Sequence, residues 1–544
     1  MGIRGYYCGM TLLIAPVSGE HIDDVRGQVE AAIAGGADAI ELRLDLIGEL
    51  SADDLRTLRL NTPHEVPFIL TIRSVDEGGQ WDGGDDDRVS RMIELGPFVD
   101  YIDVEIELWR RSANIRQKIE LALHRADPAY QDGGEDASSF VARRKLILSR
   151  HDFTGRPATL QKDLVEMLSE SACEVPKIAW RARTIRDNFE ALELTRGCAK
   201  PPMLICMGEE GVLSRVASRK VGAFGTFAAV GRGLGTAAGQ PTIEEFISRY
   251  RWDRIDRETS LYGVIGDPVA HSLSPMVHNA AFAVSEINAV YVSLRVLAGY
   301  ESFKAFMVEV LARPWLGFRG FSITIPHKEN ALRFLLESGG DVSADAQRIG
   351  AVNTLLIHDN GRMSGSNTDY DCVLSCLRET IGGLPVSKSP LRAGVLGAGG
   401  VARAVVAALR QVEAEVTIFN RTPGRAAKLA SEFACGHAPW EKRATASFDL
   451  LVNCTAVGLA PDSGDSPLPA EALKPPLIVF DTVYRPVRTR LLQDAALAGC
   501  RTISGLELFV RQAEAQYRTW TGREPPDGRY DSAAIEALTG DADA

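Results

Sequence analysis

The sequence predicts an α/β protein in two parts: a (β/α)8 TIM barrel, then a second α/β unit of two lobes. Three observations predict it. The chain has 544 residues, long for one hydrophobic core, so two or more domains are expected. Eight short apolar or β-branched runs, each followed by a helical pattern, fill residues 11–250, the count and length of such a barrel. A glycine-rich turn, "VLGAGGVARAV" at 395–405, follows a strand and opens a helix, as in a dinucleotide-binding fold.

The barrel strands are expected in "TLLIAPV", "ADAIELRLD", "PFILTIRS", "VDYIDVEIEL", "KLILSRHDF", "VPKIAWRAR", "PMLICMGEE" and "FGTFAAV". "DGGDDD" at 82–87 and "YQDGGEDASS" at 130–139 read as exposed loops. The polar stretch "RYRWDRIDRETS", 249–260, lacks strand periodicity and precedes a new strand. The predicted divisions are a barrel over 9–250, a linker over 251–260, a first lobe over 261–390, a glycine-turn lobe over 391–500 and a closing helical segment over 501–540.

A net charge of −12 carries no basic footprint for nucleic acid. Hydrophobic residues at 45% and charged residues at 24% are ordinary for a soluble protein. The nine cysteines are scattered with no CxxC pair, which fits a reducing compartment and gives no metal site. The opening apolar run is too short for a signal peptide, and no stretch reaches about 18 apolar residues. A cytoplasmic protein with neither a transit peptide nor a membrane partner is expected.

In a barrel, groups at the carboxyl ends of the strands share one mouth. At those ends lie Glu41, Arg43, Arg73, Glu77 on the next loop, His151, Lys177 and Gln240, with Arg215 just after the seventh strand. Lys177 interrupts an apolar strand, and lysine is rarely buried without a purpose. Burial among arginines is expected to leave a free amine that attacks a ketone. The resulting imine acidifies the adjacent carbon, so a histidine can take that proton and later protonate a leaving hydroxyl. Arginines suit a carboxylated substrate. Imine-assisted dehydration and aldol cleavage both fit.

The ordered set "ELRLD", "TIRS…EGG", "SRHDF", "VPKIA", "GVLSR" and "GQ" resembles type I 3-dehydroquinate dehydratase over residues 11–248. The resemblance implies that Lys177 forms the Schiff base, that His151 is the general acid/base and that Glu77 tunes it. It assigns Glu41, Arg43, Arg73, Arg215, Thr236 and Gln240 to the substrate. The last loop reads "TAAGQ" where the family has "SxPGQ"; Thr236 keeps the hydroxyl, and Ala238 replaces a stiffening proline.

In the second part, "EVTIFNRTPGR" ends one βαβ unit after the glycine turn. It supplies Asn420, Arg421, Thr422 and Arg425 where an NAD site carries an acid, and arginine there suits the 2′-phosphate of NADP(H). "HSLSP" reads as a helix start capped by Ser274 ahead of Pro275. With "GFSITIPHKEN", "GAVNTLL", "SGSNTDY", "NCTAVG", "FDTVYRPVRTRLL" and "SGLELFVRQAEAQ", these segments resemble shikimate dehydrogenase throughout 261–521. The resemblance implies a catalytic pair, Lys328 and Asp369. Ser272 and Ser274 would bind the substrate carboxylate, and Thr324, Asn353, Tyr484 and Gln512 would complete the substrate site. Cofactor contacts would come from Gly397, Ala398, Gly399, Gly400, Val401, Ala402, Thr455 and Gly505. Ser322 stands where single-function bacterial enzymes tend to have Asn.

The resemblances imply consecutive steps: dehydration of 3-dehydroquinate to 3-dehydroshikimate, then NADPH-dependent reduction to shikimate. The expected chain is a monomer or homodimer. A quinate-preferring reductase, a non-catalytic metabolite sensor and a class I aldolase barrel are the rivals. The four residues Lys177, His151, Lys328 and Asp369 argue against the sensor.

Overall fold

Eight near-continuous apolar runs become parallel strands because a barrel strand is covered on both faces. In the computed structural model they are β1 Leu12–Gly19, β2 Ala39–Ile47, β3 Phe68–Thr71, β4 Tyr101–Glu105, β5 Lys145–Asp152, β6 Cys173–Arg181, β7 Met203–Met207 and β8 Gly225–Phe227. The order is β7-β6-β5-β4-β3-β2-β1-β8. Phe224 N–H, just before β8, donates to Pro202 O, just before β7, at 3.0 Å, bringing the two ends of the sheet together. Leu12, Ile14, Ile69, Tyr101, Ile147, Val175 and Met203 fill the interior. The structure describes residues 11–124, 144–237, 239–270, 272–382, 390–460 and 462–540. Ala238, the 130–139 loop and residues 1–10 lie outside them.

Two sequence expectations change here. "DGGDDD" is not all loop: Asp85, Asp86 and Asp87 form the first turn of the helix Asp85–Leu95, where carboxylates complement the helix dipole. The 251–260 stretch is not a free linker. Trp252 and Ile255 are buried, Trp252 meets Phe246 edge-on at 6.0 Å, and Lys220 Nζ donates to Arg257 O and Thr259 O. Its charges ring two buried apolar anchors, so mean polarity misleads. The chain separates into compact units at Thr259/Ser260.

The second unit holds two sheets. The first comprises β9 Ser260–Gly266, β10 Ala289–Arg295, β11 Phe318–Ile323, β12 Asp341–Val342, β13 Thr354–Ile357 and β14 Met363–Ser366, in the order β10-β9-β11-β13-β14-β12. Its β11–β13 and β13–β14 pairs are antiparallel. The second comprises β15 Arg392–Leu396, β16 Glu415–Phe419, β17 Gly436–Ala438, β18 Leu450–Asn453, β19 Ile478–Asp481 and β20 Arg501–Ile503. All its pairs are parallel, in the order β17-β16-β15-β18-β19-β20. The order reverses between β15 and β18, the switch point where dinucleotide folds bind ligand.

The sheets exchange helices. The helix Thr368–Gly382, preceding the glycine turn, buries Tyr370, Val373 and Leu377 in the β15–β20 core. The helix Gly505–Thr521 buries Phe509, Ala513, Tyr517 and Trp520 in the β9–β14 core. The expected division at 500 therefore cuts off β20, a strand of the parallel sheet. Among the described residues no helix is long and apolar enough to cross a membrane.

Candidate functional site

All nine barrel residues singled out from the sequence line one cleft at the carboxyl ends of the strands. Phe153, Ile205, Met207 and Phe227 supply its apolar wall. Lys177 is buried on β6 and lies 4.4 Å from the centre of the Phe227 ring. Its Nζ donates to Asp103 Oδ2 at 2.8 Å and Glu41 Oε1 at 3.2 Å. The expectation of a lysine flanked by arginines is corrected: the groups within bonding reach are carboxylates. A buried cation needs such partners, because its desolvation is otherwise too costly.

Arg73 donates to Asp103 Oδ1 at 2.9 Å and Ser149 Oγ at 2.8 Å, with Glu105 and Glu77 at 3.4 and 3.5 Å. Burial opposes the Asp103 charge, but Arg73 and Lys177 outweigh it and hold the carboxyl well below the usual range. Arg43 binds Asp45 through Nε at 2.9 Å and Nη2 at 2.7 Å. Arg215 differs. It is 2% exposed, its Nε has no partner among the described residues, and Nη1 reaches only Phe227 O at 3.5 Å. Burial pulls its guanidinium down to about 10. A buried guanidinium without an acid, facing a cleft, is a site for an anionic ligand.

Glu77 Oε2 accepts the His151 backbone N–H at 2.9 Å and lies 2.9 Å from Nδ1. Burial pushes the Glu77 carboxyl up to about 8, Arg73 opposing and Glu105 and Asp103 assisting. Burial, then the charges of Arg73 and Lys177, holds the His151 imidazole well below its ordinary value. The pair favours a neutral imidazole beside a carboxyl that keeps its proton near neutral pH. Thr236 Oγ1 donates to Gln240 Oε1 at 3.3 Å, and Gln240 Nε2 has no partner among the described residues.

In the second unit, Lys328 opens the helix Lys328–Ser338 and Asp369 lies in the first turn of Thr368–Gly382. Both are buried and form an ion pair. Asn353 Nδ2 donates to Asp369 Oδ1 at 2.7 Å, and Asn353 Oδ1 accepts Thr368 N–H at 2.8 Å. Ser272 Oγ accepts the Ser274 N–H at 3.3 Å. The helix starts at Ser274 with Leu273 at the N-cap position, so Ser272, not the expected Ser274, meets the first turn. Thr324 follows β11 and donates its N–H to Ile265 O at 2.9 Å. Tyr484 stacks on Phe509 at 4.7 Å, and Gln512 is half-buried on the helix Gly505–Thr521. These last three do not bond the Lys328–Asp369 pair.

At the switch point Gly397 has φ +110°, and a Cβ there would stand 2.8 Å from Cys454 O, so only glycine fits. Ala398 follows, and Gly399, with open space around it, caps the helix Gly400–Gln411. A Cβ at Gly400 would meet Lys328 Cδ at 2.9 Å, so the turn lies against the catalytic candidate. Val401 is half-buried, and the Ala402 side chain is fully buried in the sheet core, which leaves its backbone, in the first turn of the helix, as the part that can meet a cofactor. Asn420 Nδ2 donates to Thr422 O at 2.9 Å. Arg421, Thr422 and Arg425 are exposed, and neither arginine has an acidic partner among the described residues. Thr455 Oγ1 donates to Asn453 Oδ1 at 2.7 Å. Gly505 packs against Val483, where a Cβ would lie 2.3 Å from the carbonyl oxygen.

The family described as Type I 3-dehydroquinase matches residues 13–257. The shikimate dehydrogenase substrate binding domain matches 264–355, Shikimate / quinate 5-dehydrogenase 386–457 and the Shikimate 5′-dehydrogenase C-terminal domain 505–529. The chloroplastic bifunctional 3-dehydroquinate dehydratase/shikimate dehydrogenase of Arabidopsis thaliana is 34% identical over 538 residues, 96% of this chain and 83% of that one. The chain belongs to this bifunctional family. A shikimate dehydrogenase (NADP(+)) of Thermus thermophilus is 44% identical over 280 residues, 51% of this chain and 98% of its own. A solved Thermus thermophilus shikimate 5-dehydrogenase, in complex with NADP(H) and shikimate, is 41% identical, covers 52% of this chain and 100% of its own, and has a TM-score of 0.45.

Sequence reasoning missed several members of both sites. Asp103, Glu105, Ser149 and Arg88 complete the barrel network; Arg88 Nη1 donates to Glu105 Oε2 at 2.9 Å. The signal was present in "YIDVEIEL", whose alternate acids must point inward if the strand is buried. In the second unit, Asn453 and Asp481 are fully buried and bonded at 2.9 Å. Ser322, noted as a departure, accepts from Tyr291 Oη and donates to Gln516 Oε1, each at 2.7 Å.

Proposed function

We propose that Lys177, His151 and Glu77 carry out the dehydration of 3-dehydroquinate, and that Lys328 and Asp369 serve the reduction of the product to shikimate. The observation that supports this most is spatial: one cleft gathers the imine-forming set around an unpaired Arg215, while the second ion pair lies against the glycine turn at Gly400. Residues 9–250 would hold the first activity, extended by the packed 252–255 segment. The two lobes over 261–540, with β20 belonging to the parallel sheet of the second lobe, would hold the second activity. A cytoplasmic location is part of the proposal; the eight described cysteines are all free thiols.

In the barrel, the substrate carboxylate neutralises Arg215 and the ketone reaches Lys177 Nζ. The attacking amine must first give up a proton. Asp103 is held strongly ionised and accepts a proton poorly; the other carboxylate in contact with Nζ is Glu41 at 3.2 Å. Nitrogen adds to the carbonyl carbon, the oxygen leaves as water, and the iminium withdraws electrons from the neighbouring carbon. His151 takes the proton there and returns one to the hydroxyl as its C–O bond breaks. Water then releases the conjugated ketone and restores the amine.

In the second unit, the free glycine turn and the two unpaired arginines fit NADP(H). Gly397, Ala398, Gly399, Gly400, Val401 and the Ala402 backbone would receive the diphosphate at the helix start, and Asn420, Arg421, Thr422 and Arg425 the 2′-phosphate. Thr455 and Gly505 would border the nicotinamide end. When bound, the reduced cofactor supplies a hydride. Lys328 donates a proton to the carbonyl oxygen, and Asp369, oriented by Asn353, holds the ammonium in place. Ser272 and Ser274 would take the carboxylate, with Thr324, Tyr484 and Gln512 around the ring.

Purified protein given 3-dehydroquinate and NADPH should consume NADPH and yield shikimate, with NADH much less effective. Absence of NADPH consumption overturns the proposal, and strong preference for quinate over shikimate in the reverse direction overturns the substrate assignment.

A further inference from the structure

We propose that Asp45, which does not line the cleft, is a positioning residue that fixes Glu77 and Arg43 for dehydration; this rests on the roles assigned to those two residues above. The Asp45 side chain is fully buried at the end of β2. Its Oδ1 accepts Arg43 Nε at 2.9 Å and the Arg73 backbone N–H at 3.1 Å. Its Oδ2 accepts Arg43 Nη2 at 2.7 Å and the Gln80 backbone N–H at 3.1 Å. Four donors therefore saturate one carboxylate.

The two backbone donors bracket the loop that carries Glu77. The 3₁₀ turn Val75–Glu77 lies between them, and the Trp81 N–H donates to Arg73 O at 3.0 Å, closing the loop at its base. Glu105 grips the same loop from β4, accepting the Ser74 N–H and Oγ at 2.9 Å each. The loop is thus tied to strands on both sides, and Glu77 projects from it to His151. The same Asp45 carboxylate holds the Arg43 guanidinium by both nitrogens, fixing its plane at the cleft wall. Burial opposes the Asp45 charge, but Arg43 and the two N–H groups outweigh it and keep the carboxyl ionised. An amide could not replace it: the –NH₂ of asparagine would face two donors.

Asp45→Asn tests this in the full chain. The expected result is a dehydration kcat lower by about 10- to 100-fold, the scale of a mispositioned catalytic group. KM should rise several-fold through Arg43, and the pH profile should shift because Glu77 moves among His151, Arg73, Glu105 and Asp103. Reduction of 3-dehydroshikimate should be unchanged, and Asp45→Glu should recover part of the kcat. A purely structural role predicts a lower melting temperature with kcat, KM and pH profile unchanged; that result overturns the inference. Borohydride with 3-dehydroquinate separates the layers. If wild type forms no adduct on Lys177, the functional reading fails. If wild type is trapped and Asp45→Asn matches it in every kinetic respect, the positioning role alone fails.

Discussion

The two buried lysines of this chain are built differently. Lys177 lies mid-strand in a barrel, with two carboxylates bonded to it and Arg73 sharing one of them. Lys328 opens a helix, with Asp369 as its one ion-pair partner among the described residues and the glycine turn against its stem. A lysine that forms a bond to carbon needs somewhere to send its proton and a cleft that admits the ketone. A lysine that passes a proton needs one stable partner and a fixed distance to the reacting oxygen. The surroundings, not the residue type, divide the labour.

The largest expected effect breaks the comparison outright. Lys177→Met should lower dehydration by about 10⁴-fold or more and leave reduction of 3-dehydroshikimate intact. Lys328→Met should lower reduction by about 10²- to 10⁴-fold and leave dehydration intact. Separate assays of each half-reaction check both; loss of both activities in either variant contradicts the division.

Two buried arginines sharpen it next. Arg73→Gln leaves Asp103 and Glu105 short of a counter-charge and should destabilise the barrel by about 3–5 kcal/mol. Arg215 has no acid to abandon. Arg215→Gln should leave the urea midpoint unchanged or raised while KM for 3-dehydroquinate rises about 10- to 100-fold, the loss of a charge-assisted bond. Equal destabilisation by both substitutions contradicts the reading of Arg215 as an anion site.

Arg421→Ala combined with Arg425→Ala should raise KM for NADPH by about tenfold and barely alter that for NADH. Steady-state reduction with each cofactor checks this.

The last comparison is of stability against pH. The Glu77 carboxyl lies at about 8 in the folded chain, above the ordinary 4.5. Its contribution is therefore fully present below about 4.5 and lost as pH rises through about 8. His151 is shifted down, so its contribution is present above 6.5 and lost as pH falls. Glu77→Gln removes the first dependence: its urea midpoint should fall less than that of wild type between about pH 5.5 and pH 8.5.

Much of this was legible in the sequence, because strands covered on both faces leave apolar runs and mouth residues must follow them. Lys177 stands out for the same reason that Asp103 should: a charged residue in an apolar strand. Asp103 was passed over because "YIDVEIEL" alternates acids with apolar residues, the pattern of a half-exposed strand. The carboxylates around Lys177 lie 74 and 136 residues away in sequence, beyond any local signal. Trp252 was hidden by its charged neighbours.

Sodium borohydride added during turnover of 3-dehydroquinate, followed by peptide mapping, tests the central claim most directly. A reduced adduct confined to Lys177 is the predicted result. An adduct on Lys328, or on any lysine other than Lys177, contradicts the assignment of covalent chemistry to the barrel lysine.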